Sequence, residues 1–294
     1  MDMTPAANPI AAATPPAPLA VTRPRSQSAP IVVVSAHSGR DYPAEFLACA
    51  RLDPLALRRS EDSFVDELFA AAPSLGVPLL TANFPRAFCD ANREKWELDP
   101  AMFDDPLPSW ANTTSTRVGA GLGTIARVVG AGDAIYRRKL LWAEAERRLE
   151  EFWQPFHDAL RALIEATCAR FGACLVVDCH SMPSGAASPK PPCDMVLGDA
   201  HGTACSAQAT RQAERALAAM DYTVRRNDPY AGGYITRNYG RPRQHVHALQ
   251  LEISRPLYMD EATIQRSADF PAVQADMTAL LQALAERPDC LGLT

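Results

Sequence analysis

The sequence predicts a single α/β domain with a mixed, largely parallel sheet flanked by helices. Three observations lead there. Short apolar runs of strand character alternate with longer segments of helical periodicity. Two runs, VVVSAHSGR and CLVVDCHS, are apolar enough to be buried core strands, yet each ends on a histidine. Beyond the N-terminal segment the chain shows neither an internal repeat nor a second linker.

Residues 1–29 are rich in Ala and Pro and nearly uncharged before Arg23, so they are expected to form a disordered tail. They lack the basic start and unbroken apolar stretch of a signal peptide. Ile31 to Ala36 reads as the first buried strand. Ser60 is expected to cap a helix over EDSFVDELFAAA, with Asp62 in its first turn. VPLLTANF (77–84) is the next strand, and 85–130 reads mostly as loop. Helical pattern fills 134–171, with Pro155 starting a second helix and Gly172 closing it. Strands CLVVD, DMVLG and YTVRRN follow, with an Ala-rich helix over about 203–220 between the last two. HVHALQLEIS is the last strand, placing Ala248, Gln250, Glu252 and Ser254 on one face. A C-terminal helix, broken at Pro271, completes the domain.

Bulk properties narrow the function. The 294 residues are 47% hydrophobic and 21% charged, ordinary values for a globular protein that can bury a substantial core. A net charge of −5 argues against nucleic acid or an anionic membrane as the main partner. No apolar run approaches the ~20 residues of a membrane span. Eight cysteines are scattered with no C-x-x-C pair, which points to free thiols in a reducing cytoplasm.

In open α/β sheets, sites gather at the carboxyl ends of strands, and both His37 and His180 fall there, each followed by Ser. Neutral imidazoles suit zinc, and a catalytic zinc takes three protein ligands, leaving a place for water. Asp62 or Glu61 would supply a third, carboxylate ligand. Asp178, two residues before His180, either orients that histidine or caps a loop. The segment RAFCDANR carries Arg86, Asp90, Asn92 and Arg93, which form either a carboxylate-gripping cluster or a surface ion-pair network. Glu252, inside an apolar strand, needs a partner such as Arg255 or Arg243, or else faces a site as a general base. VGAGLG lacks the features of a phosphate loop and reads as a lid or a close backbone approach. His157 reads as structural, and His201, His245 and His247 carry less support. A Cys179 nucleophile is disfavoured because neighbouring strand residues point to opposite faces.

With these residues in view, the chain resembles the N-formylglutamate amidohydrolase (N-formylglutamate deformylase) family. The likeness rests on SAHSGRDYP, SEDSFVDELF, FCDANREKWELDP, AGLGTIARVV, QPFHDAL, DCHSMP and ALQLEISRPLYMDE, running in family order from about 31 to 262. The resemblance implies a fold similar to zinc carboxypeptidases and aspartoacylases, and one zinc ion, with other divalent metals as alternatives. It implies His37, Asp62 and His180 as metal ligands. In the wider group the first histidine opens an H-x-x-E motif; here Arg40 occupies the glutamate's position, and Asp62 is the replacement. Arg86, Asn92 and Arg93 would hold a small anionic N-acyl amino acid, Arg86 would also steady the oxyanion, and Glu252 would be the general base. Gly39 would let the chain turn away after His37. The implied reaction releases formate and L-glutamate from N-formyl-L-glutamate, in a cytoplasmic setting of histidine degradation. The alternatives are a related N-acyl amino acid amidohydrolase, a carboxypeptidase-like enzyme, or a ligand-binding relative without catalysis.

Overall fold

The computed structural model describes residues 17–130, 132–185 and 192–291. Seven strands form one sheet in the order β1-β3-β2-β4-β7-β5-β6, namely β1 (Leu19–Thr22), β2 (Ile31–Ser35), β3 (Leu79–Ala82), β4 (Cys174–Met182), β5 (Met195–Gly198), β6 (Val224–Arg226) and β7 (Val246–Ser254). The pairs β2–β3, β2–β4, β4–β7 and β5–β6 are parallel, while β1–β3 and β5–β7 are antiparallel. This is the mixed, mostly parallel α/β sheet that the alternation of elements predicts.

The buried central strands supply two cores. Val33, Leu175, Val177, Leu249 and Leu251 face the helices Ala207–Ala218 and Phe270–Ala285. Val32, Val34, Leu80, Val176 and Ala248 face the helix Gln154–Phe171 and an aromatic layer of Phe46, Phe84, Phe88 and Phe156. Phe46 is fully buried, with its ring centroid 5.4 Å from Phe88 and 5.9 Å from Tyr136. Phe46→Ala leaves a cavity there and is expected to cost about 3–5 kcal/mol of unfolding free energy, read from denaturant titration.

Several expectations need correction. Part of the segment expected to be a disordered tail is ordered: Leu19–Thr22 pairs with β3, and the half-buried Leu19 and Val21 pack on the core while Ala20 and Thr22 face solvent. Residues 1–16 lie outside the described residues. The helix expected after Ser60 is only Val65–Leu68, preceded by Phe64 in the left-handed region. Asp62 is therefore in a loop, because its amide donates to the His37 carbonyl and not to a helical turn. Residues 134–141 are not helical; helix begins at Trp142 and runs through a π-helical turn, Leu149–Trp153, into Gln154–Phe171. Pro271 does not break the last helix but sits in its first turn, where a missing N–H costs nothing. Gly39 serves close packing more than a turn, since a Cβ there would collide with the Phe84 carbonyl.

Candidate metal and substrate site

At the carboxyl ends of β2, β4 and β7 the parallel register places Val34 beside Asp178, Asp178 beside Gln250 and His180 beside Glu252. Asp178, His180, Gln250 and Glu252 thus project from one face, towards the loop carrying Asp62. One ligand atom from each of His37, Asp62 and His180 lies within 4.8 Å of the others. Asp62 Oδ2 is 2.9 Å from His180 Nδ1 and 3.3 Å from His37 Nδ1. Ligands about 2.0–2.2 Å from a shared tetrahedral ion stand roughly 3.3 Å apart, so the spacing fits.

The surroundings orient these three groups. His37 Nε2 meets Asp90 Oδ1 at 2.7 Å, and His180 Nε2 meets Asp178 Oδ1 at 2.8 Å. Each imidazole thus has a carboxylate behind it and turns Nδ1 towards Asp62, the usual support for a metal-bound histidine. His37 Nδ1 is buried with no hydrogen-bond partner among the described residues, which is costly unless a cation takes it. Two nitrogens and one oxygen form the donor set of a catalytic zinc with an open position. The residues fit the metal.

Glu61 is not in this cluster. Its carboxylate accepts from Tyr42 Oη at 2.7 Å, Arg58 Nε at 3.2 Å and Ser63 Oγ at 2.8 Å, leaving Asp62 as the carboxylate among the histidines. Asp62 Oδ1 is held by Arg255 Nη2 at 3.2 Å, so Arg255 pairs with Asp62 and not with Glu252. Arg40 points elsewhere, to Asp66 and Glu67.

Charge in the site is finely opposed. Burial disfavours ionisation of Asp62, yet the hydrogen bond to His180 and the nearby His37 imidazole hold it well below the usual carboxylate range. Burial likewise opposes Asp90, but Arg86, His37 and Arg93 outweigh it and keep it ionised. For His180, burial is overcome by Asp178, Asp62 and Glu252, which hold its pKa well above the ordinary value. Glu252 goes the other way: burial, with Asp62 and Asp178 against it, pushes its carboxyl up from 4.5 to about 8. Glu252 thus lies beside His180 on the cavity face with a raised carboxyl pKa.

Arg86 and Arg93 both line the same cavity, which encloses about 890 Å³. Arg86 Nη2 holds Asp90 Oδ2 at 2.8 Å, while Arg93 Nε and Nη1 donate to the Leu122 and Asn92 carbonyls. Asn92 turns away from the arginines. Its Oδ1 accepts from the Ile235 amide and its Nδ2 donates to Asp178 Oδ2 at 3.4 Å, so the amide supports the carboxylate behind His180. The sequence assigns no site role of their own to Asp90, in the charged RAFCDANR segment, or to Gln250, on the strand face of Glu252. Gln250 accepts from Gly233 N at 2.7 Å and donates to Glu252 Oε1 at 2.9 Å, tying Glu252 to the 228–233 loop. Gly233 has no room for a Cβ against Asn92.

The other histidines stay outside. His247 bonds Ser206 N and the Leu291 carbonyl, and His201 is exposed. Cys179 faces the opposite core, where burial raises its thiol pKa, so it is no nucleophile for this cavity. His157 is buried between Tyr239 Oη and the Ala91 carbonyl, each at 2.8 Å. Burial pushes its pKa down from 6.5 to about 4. Between those values the unfolded chain binds the extra proton, so stability is lost as pH falls from 6.5 towards 4. His157→Gln is expected to flatten that slope, measured as unfolding midpoint against pH.

A family model described as N-formylglutamate amidohydrolase matches residues 29–259. N-formylglutamate deformylase of Pseudomonas putida is 31% identical over 232 residues, covering 76% of this chain and 80% of the relative. The Pseudomonas aeruginosa N-formylglutamate deformylase is 32% identical over 231 residues, with the same coverage of 76% and 80%. The crystal structure of N-formylglutamate amidohydrolase from Ralstonia eutropha JMP134 superposes with a TM-score of 0.88 at 40% identity, covering 93% of this chain and 99% of that one.

Proposed function

The chain belongs to the N-formylglutamate amidohydrolase family, and on that premise we propose that it hydrolyses N-formyl-L-glutamate to formate and L-glutamate with one zinc ion held by His37, Asp62 and His180. The observation that carries the reading is the meeting, in one cavity, of a His-Asp-His cluster, a glutamate beside it and two arginines. Zinc, when bound, supplies a Lewis acid that polarises the formyl carbonyl and acidifies water.

The chain's own residues do the rest. Asp90 and Asp178 keep both imidazoles turned inwards, and Arg255 fixes the Asp62 carboxylate. Glu252 accepts a proton from the attacking water and delivers it to the departing amine as the C–N bond breaks and the new C–O bond forms. Arg86 and Arg93 hold the substrate's α-carboxylate, and Arg86 also steadies the developing oxyanion. Asn92, placed by the resemblance in the substrate grip, acts through Asp178, the carboxylate behind His180. The reaction belongs, in this reading, to the cytoplasm and to histidine degradation.

One second reading is hydrolysis of a bulkier N-acyl amino acid, which a cavity of about 890 Å³ has room to hold whole. Steady-state rates on N-formyl-, N-acetyl- and N-succinyl-L-glutamate decide between them. The deformylase reading expects the highest kcat/KM on the formyl compound. Equal or higher values on the larger acyl groups would replace it with the second reading. Tight binding of N-formylglutamate without turnover by zinc-loaded protein would point to a binding protein.

A further inference from the structure

Glutamate differs from most amino acids in its second carboxylate, and the α-carboxylate grip of Arg86 and Arg93 does not distinguish it. A guanidinium for the side chain has to stand next to the first pair, because only three carbons link the two carboxylates. Arg117 lines the cavity on the side of Arg93. It lies in the short helix Thr116–Gly119, which Ser115 caps through Val118 N at 3.0 Å. The loop that follows ties it to the site. The Arg117 carbonyl accepts from Leu122 N at 2.8 Å, and the Leu122 carbonyl accepts from Arg93 Nε at 2.9 Å. The far side of the loop is pinned by Thr124 N to the Glu97 carbonyl and by Asp90 N to the Thr124 carbonyl. Gly123 packs so closely on Glu97 that no Cβ would fit. Arg93 and Arg117 are therefore carried by one interlocked backbone unit.

The Arg117 guanidinium is only loosely engaged, as the ion-pair partner of the buried Glu97. Its contact with Glu97 Oε2 is 3.9 Å, beyond hydrogen-bond range, and among the described residues no hydrogen bond engages it. Its side chain is 30% exposed and lines the cavity. Arg93 is pushed down to about 10, by burial first, with Arg86 and Arg117 adding to the effect against Asp90. Crowded, incompletely neutralised guanidinium groups favour a dianionic ligand.

We propose that Arg117 is the specificity-determining residue that binds the side-chain carboxylate of the substrate, selecting acidic N-formyl amino acids over their neutral isosteres. The proposal rests on the deformylase reading above. Its test compares kcat/KM for N-formyl-L-glutamate and N-formyl-L-glutamine in the wild type, Arg117→Gln, Arg117→Lys and Arg237→Gln, the last being an exposed arginine on the same cavity's rim. Arg117→Gln is expected to lower kcat/KM for the glutamate compound roughly 10- to 100-fold, mainly through KM. The glutamine compound should change by less than about threefold, and Arg117→Lys should restore part of the preference. Equal losses on both substrates, an unchanged ratio, or a loss of selectivity in Arg237→Gln instead would overturn the proposal. A wild type that hydrolyses N-formylglutamate without preferring it would defeat the proposal alone. A zinc-loaded wild type inert on both substrates would defeat the deformylase reading, and the proposal with it.

Discussion

His180→Ala is expected to abolish stoichiometric zinc binding and to reduce kcat/KM on N-formyl-L-glutamate by about a thousandfold or more. The magnitude follows from losing a Lewis acid that contributes several kcal/mol at the transition state. His180 cannot be replaced by a neighbour, because its Nδ1 faces Asp62 Oδ2 at 2.9 Å and its Nε2 is already engaged by Asp178. Removing it also leaves buried carboxylates facing each other, so circular dichroism must show that the variant is folded. Asp90→Asn gives a milder test of the same design. Asp90 orients His37 without joining the metal cluster, and also pairs with Arg86, so its loss is expected to weaken zinc binding by roughly 10- to 100-fold while some activity survives at saturating metal. Zinc content by plasma emission spectrometry, paired with formate release, reads both effects. A fully active His180→Ala variant would remove this histidine from the site.

Glu252→Gln is expected to retain zinc and substrate binding but lose roughly 10²–10⁴-fold in kcat, the usual contribution of a positioned proton-transfer group. Gln keeps the shape of the side chain and an oxygen able to accept from Gln250 Nε2, which meets Glu252 Oε1 at 2.9 Å in the wild type. What it loses is the capacity to hold a proton. The strand register explains why this glutamate is the one that matters. Glu252 lies directly beside His180 across the β4–β7 pair, on the cavity face, and is only 7% exposed. A loss of zinc in Glu252→Gln, or a KM that rises with kcat unchanged, would make the residue a structural or binding group and not the base.

The parts of the site that can be seen in the sequence are those that strand geometry exposes. His37 and His180 stand out because an apolar run that ends on histidine has no packing reason to do so. Glu252 stands out because a carboxylate inside a buried strand needs an explanation. The sheet itself follows from unbroken apolar runs separated by helices. Long-range polar pairings are invisible to the same reasoning. Asp90 reads as one charge in a charged segment, yet it is buried and serves His37. Arg255 stands three residues after Glu252 and looks like its partner, yet its guanidinium reaches Asp62 and the carbonyls of Arg59 and Glu61.

Local propensity misleads around Asp62. The run after Ser60 has a capping residue and apolar spacing, but Glu61, Asp62 and Ser63 are taken up by the polar network, and the helix waits until Val65. At the N-terminus, low charge and many prolines read as disorder, while an alternating LAVT pairs with β3 and becomes the edge strand itself. In both places tertiary hydrogen bonding outweighs the local signal.

The central claim is that one zinc ion in the His37–Asp62–His180 cluster is required for deformylation, and one titration tests it most directly. Protein stripped with a chelator is reloaded with increasing zinc, and formate release from N-formyl-L-glutamate is followed at each step. The account predicts no turnover at zero metal and a rise that saturates at one zinc per chain. Full formate release by the stripped protein would contradict it.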